Sequence, residues 1–295
     1  MSFISKSRWF DTPVFAGQGA ILLCAVLWST SGLFIKLLNW HPAVIAGSRS
    51  FLAAIFLLVL RRKQDAPKKL LLLFASGFWY AATMILFVIA NKLTFSANAI
   101  VLQYTAPVWA CLLGWFFLKE KPHWEHWSAL FFTGIGMFLV FAKGFANSFG
   151  GGSFLGDCLA LVSGITFAAS SVVLRGHKDG NPLDVMICAH IICVFFSLPF
   201  FFIYPPEIST GSITSILFMG IFQIGAASAL FVYGVKRIRA VQAMLTAAVE
   251  PVLNPIWVLL VTGEKPAPSV ITGGAVIIAA VIFSSLLGKR REEKF

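Results

Sequence analysis

Ten long apolar runs, separated by short polar segments, constrain the fold of this 295-residue chain more than any other feature. A helix that crosses a lipid bilayer needs about 20 predominantly apolar residues. Charged residues make up only 12% of the chain, whereas a soluble domain carries roughly a quarter. The sequence therefore predicts an all-α membrane protein with ten transmembrane helices and no separate soluble domain. The predicted spans are about 17–38, 42–60, 70–90, 96–118, 124–143, 154–174, 183–204, 213–234, 240–260 and 267–287.

The net charge of +11 is distributed in a way that indicates membrane orientation rather than nucleic-acid binding. If the N-terminus is cytoplasmic, 18 of the 23 lysines and arginines fall in cytoplasmic segments and three in external ones, while Lys36 and Arg49 lie within spans. Cytoplasmic loops of membrane proteins carry such an excess. We therefore expect both termini in the cytoplasm, the cell (inner or plasma) membrane as location, the lipid bilayer as partner, and no nucleic acid.

Motifs for enzymatic, metal or cofactor chemistry are missing from the sequence. It contains no G-x-x-x-x-G-K-[S/T] phosphate loop, no H-E-x-x-H metal motif and no G-x-S-x-G elbow. All five cysteines fall in predicted spans, and none forms a C-x-x-C pair, which favours buried small apolar residues. We therefore expect no enzyme, no cofactor and no metal.

The two halves of the chain share a repeated pattern. Ala106-Pro107-Val108 precedes Glu120-Lys121-Pro122, and Glu250-Pro251-Val252 precedes Glu264-Lys265-Pro266, at a constant offset of 144 residues. Each half contains five predicted spans, and an odd number places the two copies in opposite orientations across the membrane. The sequence thus predicts two inverted five-helix repeats, over residues 1–148 and 149–295.

A chain with two five-helix repeats, each with a Pro-Val motif followed by Glu-Lys-Pro, resembles the EamA-type branch of the drug/metabolite transporter superfamily. The resemblance covers nearly the whole chain. It implies a ten-helix transporter of metabolites or drugs that works by alternating access, often as an exporter. It leaves the substrate open, because the branch carries amino acids, nucleotide precursors and choline-like cations.

Glu250 is the only acidic residue that we place deep within a predicted span. Charged groups at this depth usually face a cavity, a partner or a proton path. Thr246 and Asn254 share one face of the helix with Glu250 at i, i+4 spacing, so we predict that all three bind substrate. Pro107 and Pro251 should break their helices beside the same cavity, because proline removes a backbone hydrogen bond.

Aromatic and basic residues in other spans are further candidates for the substrate site. Arg49 lies roughly 10 Å from the outer end of its span; it either reaches the membrane interface or pairs with Glu250 or a substrate carboxylate. His190 is either a packing residue or a second proton-coupling candidate beside Glu250. Four aromatic residues either stack on a planar substrate or enclose a cation, or simply pack: Trp28, Trp79, Tyr80 and Tyr104.

Together these features predict a secondary transporter of small metabolites such as amino acids, with export favoured and proton coupling through Glu250 as a hypothesis. The alternative is a carrier of quaternary-ammonium compounds or cationic drugs that uses Glu250 with an aromatic cage. A membrane-embedded lipid-modifying enzyme is a hypothesis of another class, and no nucleophile or metal set supports it. The oligomeric state is predicted as a monomer or a homodimer.

Overall fold

The computed structural model describes residues 13–31, 34, 38–61, 70–94, 96–148, 154–176, 181, 183–262 and 268–292. Within these ranges the chain is helical apart from short connections, and it contains no strand. When segments separated only by a short interruption are counted as one helix, the described segments form ten helices. The predicted all-α, ten-helix architecture is therefore confirmed. We number them α1 (Pro13–Ser29), α2 (Pro42–Leu60), α3 (Leu70–Leu93), α4 (Ser96–Gln103 and Ala106–Leu118), α5 (Trp124–Ser148), α6 (Phe154–Gly176), α7 (Leu183–Ile203), α8 (Thr210–Phe218, Met219–Ala226 and Ala227–Val235), α9 (Ala240–Ala247 and Glu250–Thr262) and α10 (Pro268–Glu292).

Six helices of the described chain are long and apolar enough to cross a bilayer by length and composition. Three shorter apolar helices accompany them, at Pro13–Ser29, Ala240–Leu253 and Ile271–Phe283. The six long ones are Pro42–Leu60, Leu73–Ala90, Ala99–Leu118, Phe154–Gly176, Leu183–Ile203 and Thr210–Val235.

Helix ends follow local sequence signals. At the start of α2, Nδ1 of His41 accepts a hydrogen bond from the Ala43 N–H at 3.3 Å, and Pro42 takes the first helical position. A proline is tolerated there because the first N–H groups of a helix have no partner within it. Before α8, the Ser209 and Ser212 side chains each accept from the other's backbone N–H, at 3.1 and 2.8 Å. Such reciprocal caps satisfy donors that the helix leaves free.

Among the residues that the structure describes, three helices are irregular near their middle. α4 is interrupted at Tyr104 and Thr105, directly before Ala106-Pro107, and α9 at Ala248 and Val249, directly before Glu250-Pro251. α8 contains a π-helical segment, Met219–Ala226. Irregular backbone at membrane depth is tolerated where it is buried in protein or lines a cavity. The three helices therefore mark the region in which a binding site should be sought.

The main helix contacts join the first five helices to the last five. α1 packs on α8 and α9, α2 on α7 and α8, α3 on α6 and α7, α4 on α6 and α9, and α5 on α10. The set of pairs is unchanged when each helix is exchanged for the one five places along the chain. This exchange is what a two-fold relation between inverted repeats requires.

Close approach of α6 to the interruption in α4 depends on a glycine. A Cβ on Gly164 would lie 2.7 Å from the carbonyl oxygen of Gln103, which is closer than real Cβ atoms come, and 3.1 Å from Oγ1 of Thr105, which is also tight. Small residues at helix interfaces in membranes permit such contact. Gly164 therefore allows α6, in the second half of the chain, to pack directly against the interruption in α4.

Candidate functional site

A cavity of about 550 Å³, including the part open to solvent, lies among helices of both repeats. Its polar lining consists of Ser31, Arg49, Thr83, Gln103, Gln223 and Glu250. Its aromatic and apolar lining consists of Trp28, Tyr80, Met84, Phe87, Phe167 and Ile224. Ligand sites in proteins combine a mainly apolar wall with a few polar groups in this way.

Glu250 begins the second segment of α9. Its carboxylate is oriented by Tyr104, which lies at the interruption in α4. The Tyr104 hydroxyl donates to Oε2 of Glu250 at 2.6 Å and lies 3.2 Å from the carbonyl oxygen of Ala247. Both helices are interrupted at this level, so the two interruptions meet at one hydrogen bond. A short bond to a charged acceptor is stronger than a neutral one, so Tyr104 fixes the Glu250 carboxylate although it does not itself line the cavity.

Arg49 and Gln223 bring uncompensated polar atoms to the same cavity. Arg49 is 4% exposed and Gln223 is 2% exposed. Nε of Arg49 and Oε1 of Gln223 have no hydrogen-bond partner within the described part of the chain. Arg49 also belongs to neither of the ion pairs found there, so it does not pair with Glu250. A buried charge without an ion pair is costly, which makes Arg49 a candidate for contact with a ligand.

An aromatic wall supports the other side of the cavity. The ring of Trp28 lies 5.6 Å from that of Phe167 and 5.4 Å from that of Phe231, and the rings of Phe167 and Phe231 are 5.6 Å apart. The Tyr80 ring stacks on Phe231 at 6.1 Å. Phe231 is fully buried, so it fixes three cavity-lining rings from behind through well-packed aromatic contacts.

Thr246 and Trp79 are not among the described lining residues of the cavity. The Thr246 hydroxyl donates to the Gln242 carbonyl of its own helix at 2.8 Å. Trp79 precedes the cavity-lining Tyr80 and is 37% exposed, because successive residues of a helix point in different directions. Asn254 occupies a position in α9, and its side chain lies outside the described residues.

His190 lies behind the cavity wall. It is fully buried, its Nε2 is 3.1 Å from the Ser228 hydroxyl, and its ring meets that of Tyr80 edge-on at 6.2 Å. The cavity therefore brings together four of the predicted side chains directly and Tyr104 through Glu250. These four are Trp28, Arg49, Tyr80 and Glu250.

Sequence reasoning did not select Gln223, Phe87 or Phe167 as site residues. Gln223 carried a usable signal, since it is a lone amide within the apolar run of span 213–234. Phe167 carried another, because it occupies the position in the second half that Trp28 occupies in the first, at an offset of 139 residues. Phe87 lies in an apolar run and offered none.

Two ion pairs tie helix ends together away from the cavity. Arg61, which follows α2, forms a two-pronged pair with Asp184 at the start of α7, and its Nη2 lies 3.0 Å from Oδ2. Arg175 at the end of α6 donates from Nε to Glu120 at 2.6 Å and from Nη1 to the Val235 carbonyl at 3.3 Å. Each pair joins one repeat to the other.

Comparison with known proteins assigns the chain to a family. The model of the EamA-like transporter family matches residues 15–142 and again residues 154–286. The chain therefore belongs to the EamA-like transporter family, and it is a multi-pass membrane transporter. This membership also decides against the hypothesis of a lipid-modifying enzyme.

Individual relatives agree with this assignment. An "Uncharacterized transporter" of Archaeoglobus fulgidus is 25% identical over 94% of this chain and 98% of its own, and the "Uncharacterized transporter YoaV" of Bacillus subtilis is 22% identical over 92% and 97%. Mouse "Solute carrier family 35 member G1" is 32% identical over 116 residues, which are 37% of this chain and 31% of that protein. A solved crystal structure superposes with a TM-score of 0.76 at 18% identity, over 94% of this chain and 98% of that one, and so shares the fold.

Proposed function

We propose that this protein is a secondary transporter of small metabolites, with amino acids as the first substrate class, and that it works by alternating access. The main support for this proposal is the cavity between the two repeats. Arg49 and Glu250 line it without forming an ion pair in the described structure, beside a wall of aromatic rings. Substrate sites of transporters built from inverted repeats lie in this position. We take residues 1–148 and 149–295 as the two repeats.

The charge pattern of the cavity favours a zwitterionic substrate over a cationic one. A quaternary-ammonium compound would interact favourably with Glu250 and the aromatic rings, but Arg49 would repel it at short range. A zwitterion that carries a carboxylate instead presents a group of opposite charge to Arg49. We therefore rank the cationic-drug carrier second.

Glu250 is the proposed proton-coupling group. It lies in the cavity wall, and the Tyr104 hydroxyl supports the carboxylate at 2.6 Å. A carboxylate in apolar surroundings exchanges protons readily between states that differ in solvation. His190 is enclosed behind Tyr80, so we rank it below Glu250 for this role.

Direction and orientation are proposed from the distribution of charge. The excess of basic residues supports a cytoplasmic position, at the cell membrane, for the chain ends and for the Arg61–Asp184 and Arg175–Glu120 pairs. In this arrangement the two pairs close the cytoplasmic side, and the transporter must break them to load substrate from the cell for export.

Counterflow in proteoliposomes tests the proposal. Purified protein is reconstituted with an unlabelled metabolite inside, and uptake of the same labelled metabolite is followed for amino acids, nucleosides and choline. We expect exchange of amino acids and none of choline, in wild type and in the control Glu207→Gln, whose side chain lies exposed between α7 and α8. Exchange of choline without amino acids would establish the cation carrier instead, and no exchange of any metabolite would reject the proposed function.

A further inference from the structure

Two residues that line the cavity each carry a buried polar atom that has no hydrogen-bond partner within the described part of the chain, and the two atoms are of opposite hydrogen-bonding character. Nε of Arg49 is a donor and Oε1 of Gln223 is an acceptor, and both residues are more than nine-tenths buried. A buried polar group left without a hydrogen bond costs free energy that a native structure normally avoids. The pair therefore complements a ligand that supplies an acceptor to Arg49 and a donor to Gln223.

The backbones that carry the two residues are in direct contact. A Cβ on Gly220 would lie 3.1 Å from the carbonyl oxygen of Arg49 and 2.5 Å from Cβ of Leu52. A Cβ on Gly225 would lie 3.0 Å from the Phe56 ring. Glycines on either side of Gln223 thus allow this segment of α8 to pack closely on α2, and Arg49 and Gln223 line the cavity from these two neighbouring helices.

Gln223 is also held by an unusual backbone. It lies within the π-helical segment Met219–Ala226, and π-helical turns are rare and frequent at functional sites. The wider turn rotates the side chains that follow it relative to an α-helix, so it determines which residue of α8 faces the cavity. Gln223, the only amide side chain in this apolar stretch, is a residue that lines the cavity.

We propose, resting on the transport function above, that Arg49 and Gln223 form the subsite for the head group of an α-amino acid. The substrate carboxylate accepts from Nε of Arg49, and its α-ammonium group donates to Oε1 of Gln223. Both groups sit on one carbon atom, which suits two protein groups that come from touching helices. A simple carboxylic acid satisfies only Arg49, and a simple amine satisfies only Gln223 while Arg49 repels it.

This subsite leaves Glu250 separate from the head group. Oε2 of Glu250 already accepts from Tyr104, and Glu250 makes no ion pair with Arg49 in the described structure. The carboxylate is therefore available for a proton while substrate is bound. The apolar part of the substrate faces Trp28 and Phe167, so phenylalanine is a suitable probe.

The test is binding of labelled L-phenylalanine to the purified full-length protein in detergent. Unlabelled L-phenylalanine, 3-phenylpropionate and phenylethylamine serve as competitors, since the second lacks the ammonium group and the third lacks the carboxylate. For wild type we expect competition by L-phenylalanine at a concentration at least tenfold lower than by either analogue. Gln223→Leu should weaken L-phenylalanine about tenfold and leave weak 3-phenylpropionate binding unchanged.

A matched control separates the subsite from a general effect of removing a buried amide. Nε2 of Gln18 is also buried and has no hydrogen-bond partner among the described residues. Gln18 lies in α1 and is not among the described lining residues of the cavity, so Gln18→Leu should bind L-phenylalanine as wild type does. Thermal unfolding checks that each variant folds. If Gln223→Leu does not fold, Gln223→Asn, which keeps the amide but withdraws it by one carbon, should weaken L-phenylalanine but not 3-phenylpropionate.

The outcomes distinguish this inference from the proposed function. If folded Gln223→Leu binds L-phenylalanine as wild type does, or if phenylethylamine competes as well as L-phenylalanine, the subsite is refuted. Amino-acid counterflow by wild type would then still support the transport function. Conversely, head-group recognition in the binding assay without any counterflow would reject the proposed amino-acid transport and retain the subsite.

Discussion

Replacing Glu250 by glutamine should uncouple transport from protons without unfolding the protein. Glutamine keeps the shape of the side chain and an oxygen that can accept from Tyr104, at 2.6 Å in the structure. A hydrogen bond to a charged acceptor is roughly twice as strong as a neutral one, so the variant loses about 1 kcal/mol. The variant also no longer buries the charge of Glu250, which raises the free energy of unfolding and so opposes this loss. The net change in the free energy of unfolding should therefore be about 1 kcal/mol or less.

The effect on coupling should be much larger than the effect on stability. If one proton leaves as one substrate enters, a gradient of one pH unit corresponds to about 1.4 kcal/mol, which supports about a tenfold substrate gradient. Wild type in liposomes whose lumen is one pH unit more acidic should accumulate labelled amino acid about tenfold. Glu250→Gln should accumulate none, because no titratable group remains at that position.

Counterflow without a pH gradient checks that the variant can still transport substrate, because counterflow needs only substrate binding and movement of the repeats. Glu250→Gln should retain it, and the control Glu207→Gln should behave as wild type in both assays. Accumulation by Glu250→Gln equal to that of wild type would show that this carboxylate only supports structure through Tyr104, and the proposed coupling role would be abandoned.

Three further predictions concern topology, closure and packing. Cysteines introduced near Arg290 should react only with reagent added to the cytoplasmic side, and one near Gly150 only from outside; cytoplasmic labelling at Gly150 would contradict the orientation. Arg175→Glu should raise cysteine accessibility on the cytoplasmic side, and combining it with Glu120→Arg should restore wild-type labelling if the pair closes that side. Phe231→Ala should lower the free energy of unfolding by about 3–5 kcal/mol, seen as a large fall in the thermal unfolding midpoint, and a shift of only a few degrees would deny Phe231 its central packing role.

Local sequence signals predicted much of the fold, because membrane spans depend on composition and length. They also predicted helix breaks at Pro107 and Pro251, but they did not predict which side chains an irregular helix turns towards the cavity. The face shared by Thr246 and Glu250 at i, i+4 spacing assumes a continuous helix, but Ala248 and Val249 form a turn between them. Likewise, the orientation of Gln223 follows from a π-helical segment, and helical periodicity does not reveal such a segment.

Long-range placement was not accessible from the sequence either. Arg49 and Glu250 lie on helices of different repeats, and whether they pair depends on how those helices pack. The sequence left pairing with Glu250, pairing with substrate and interfacial exposure open for Arg49. The structure buries its side chain at the cavity without an ion pair, and this arrangement depends on contacts among α2, α7 and α8.

The contacts between the two halves have a consequence for how the protein is synthesised. α1 to α5 leave the ribosome first, yet their main packing partners are all among α6 to α10. Until those helices are inserted, the newly made half exposes Arg49 and the interrupted turn of α4 to lipid or to insertion factors, at a cost that apolar helices do not have. Tertiary packing therefore begins late in translation, and a chain that stops after residue 148 should be degraded rather than accumulate as a stable half-transporter.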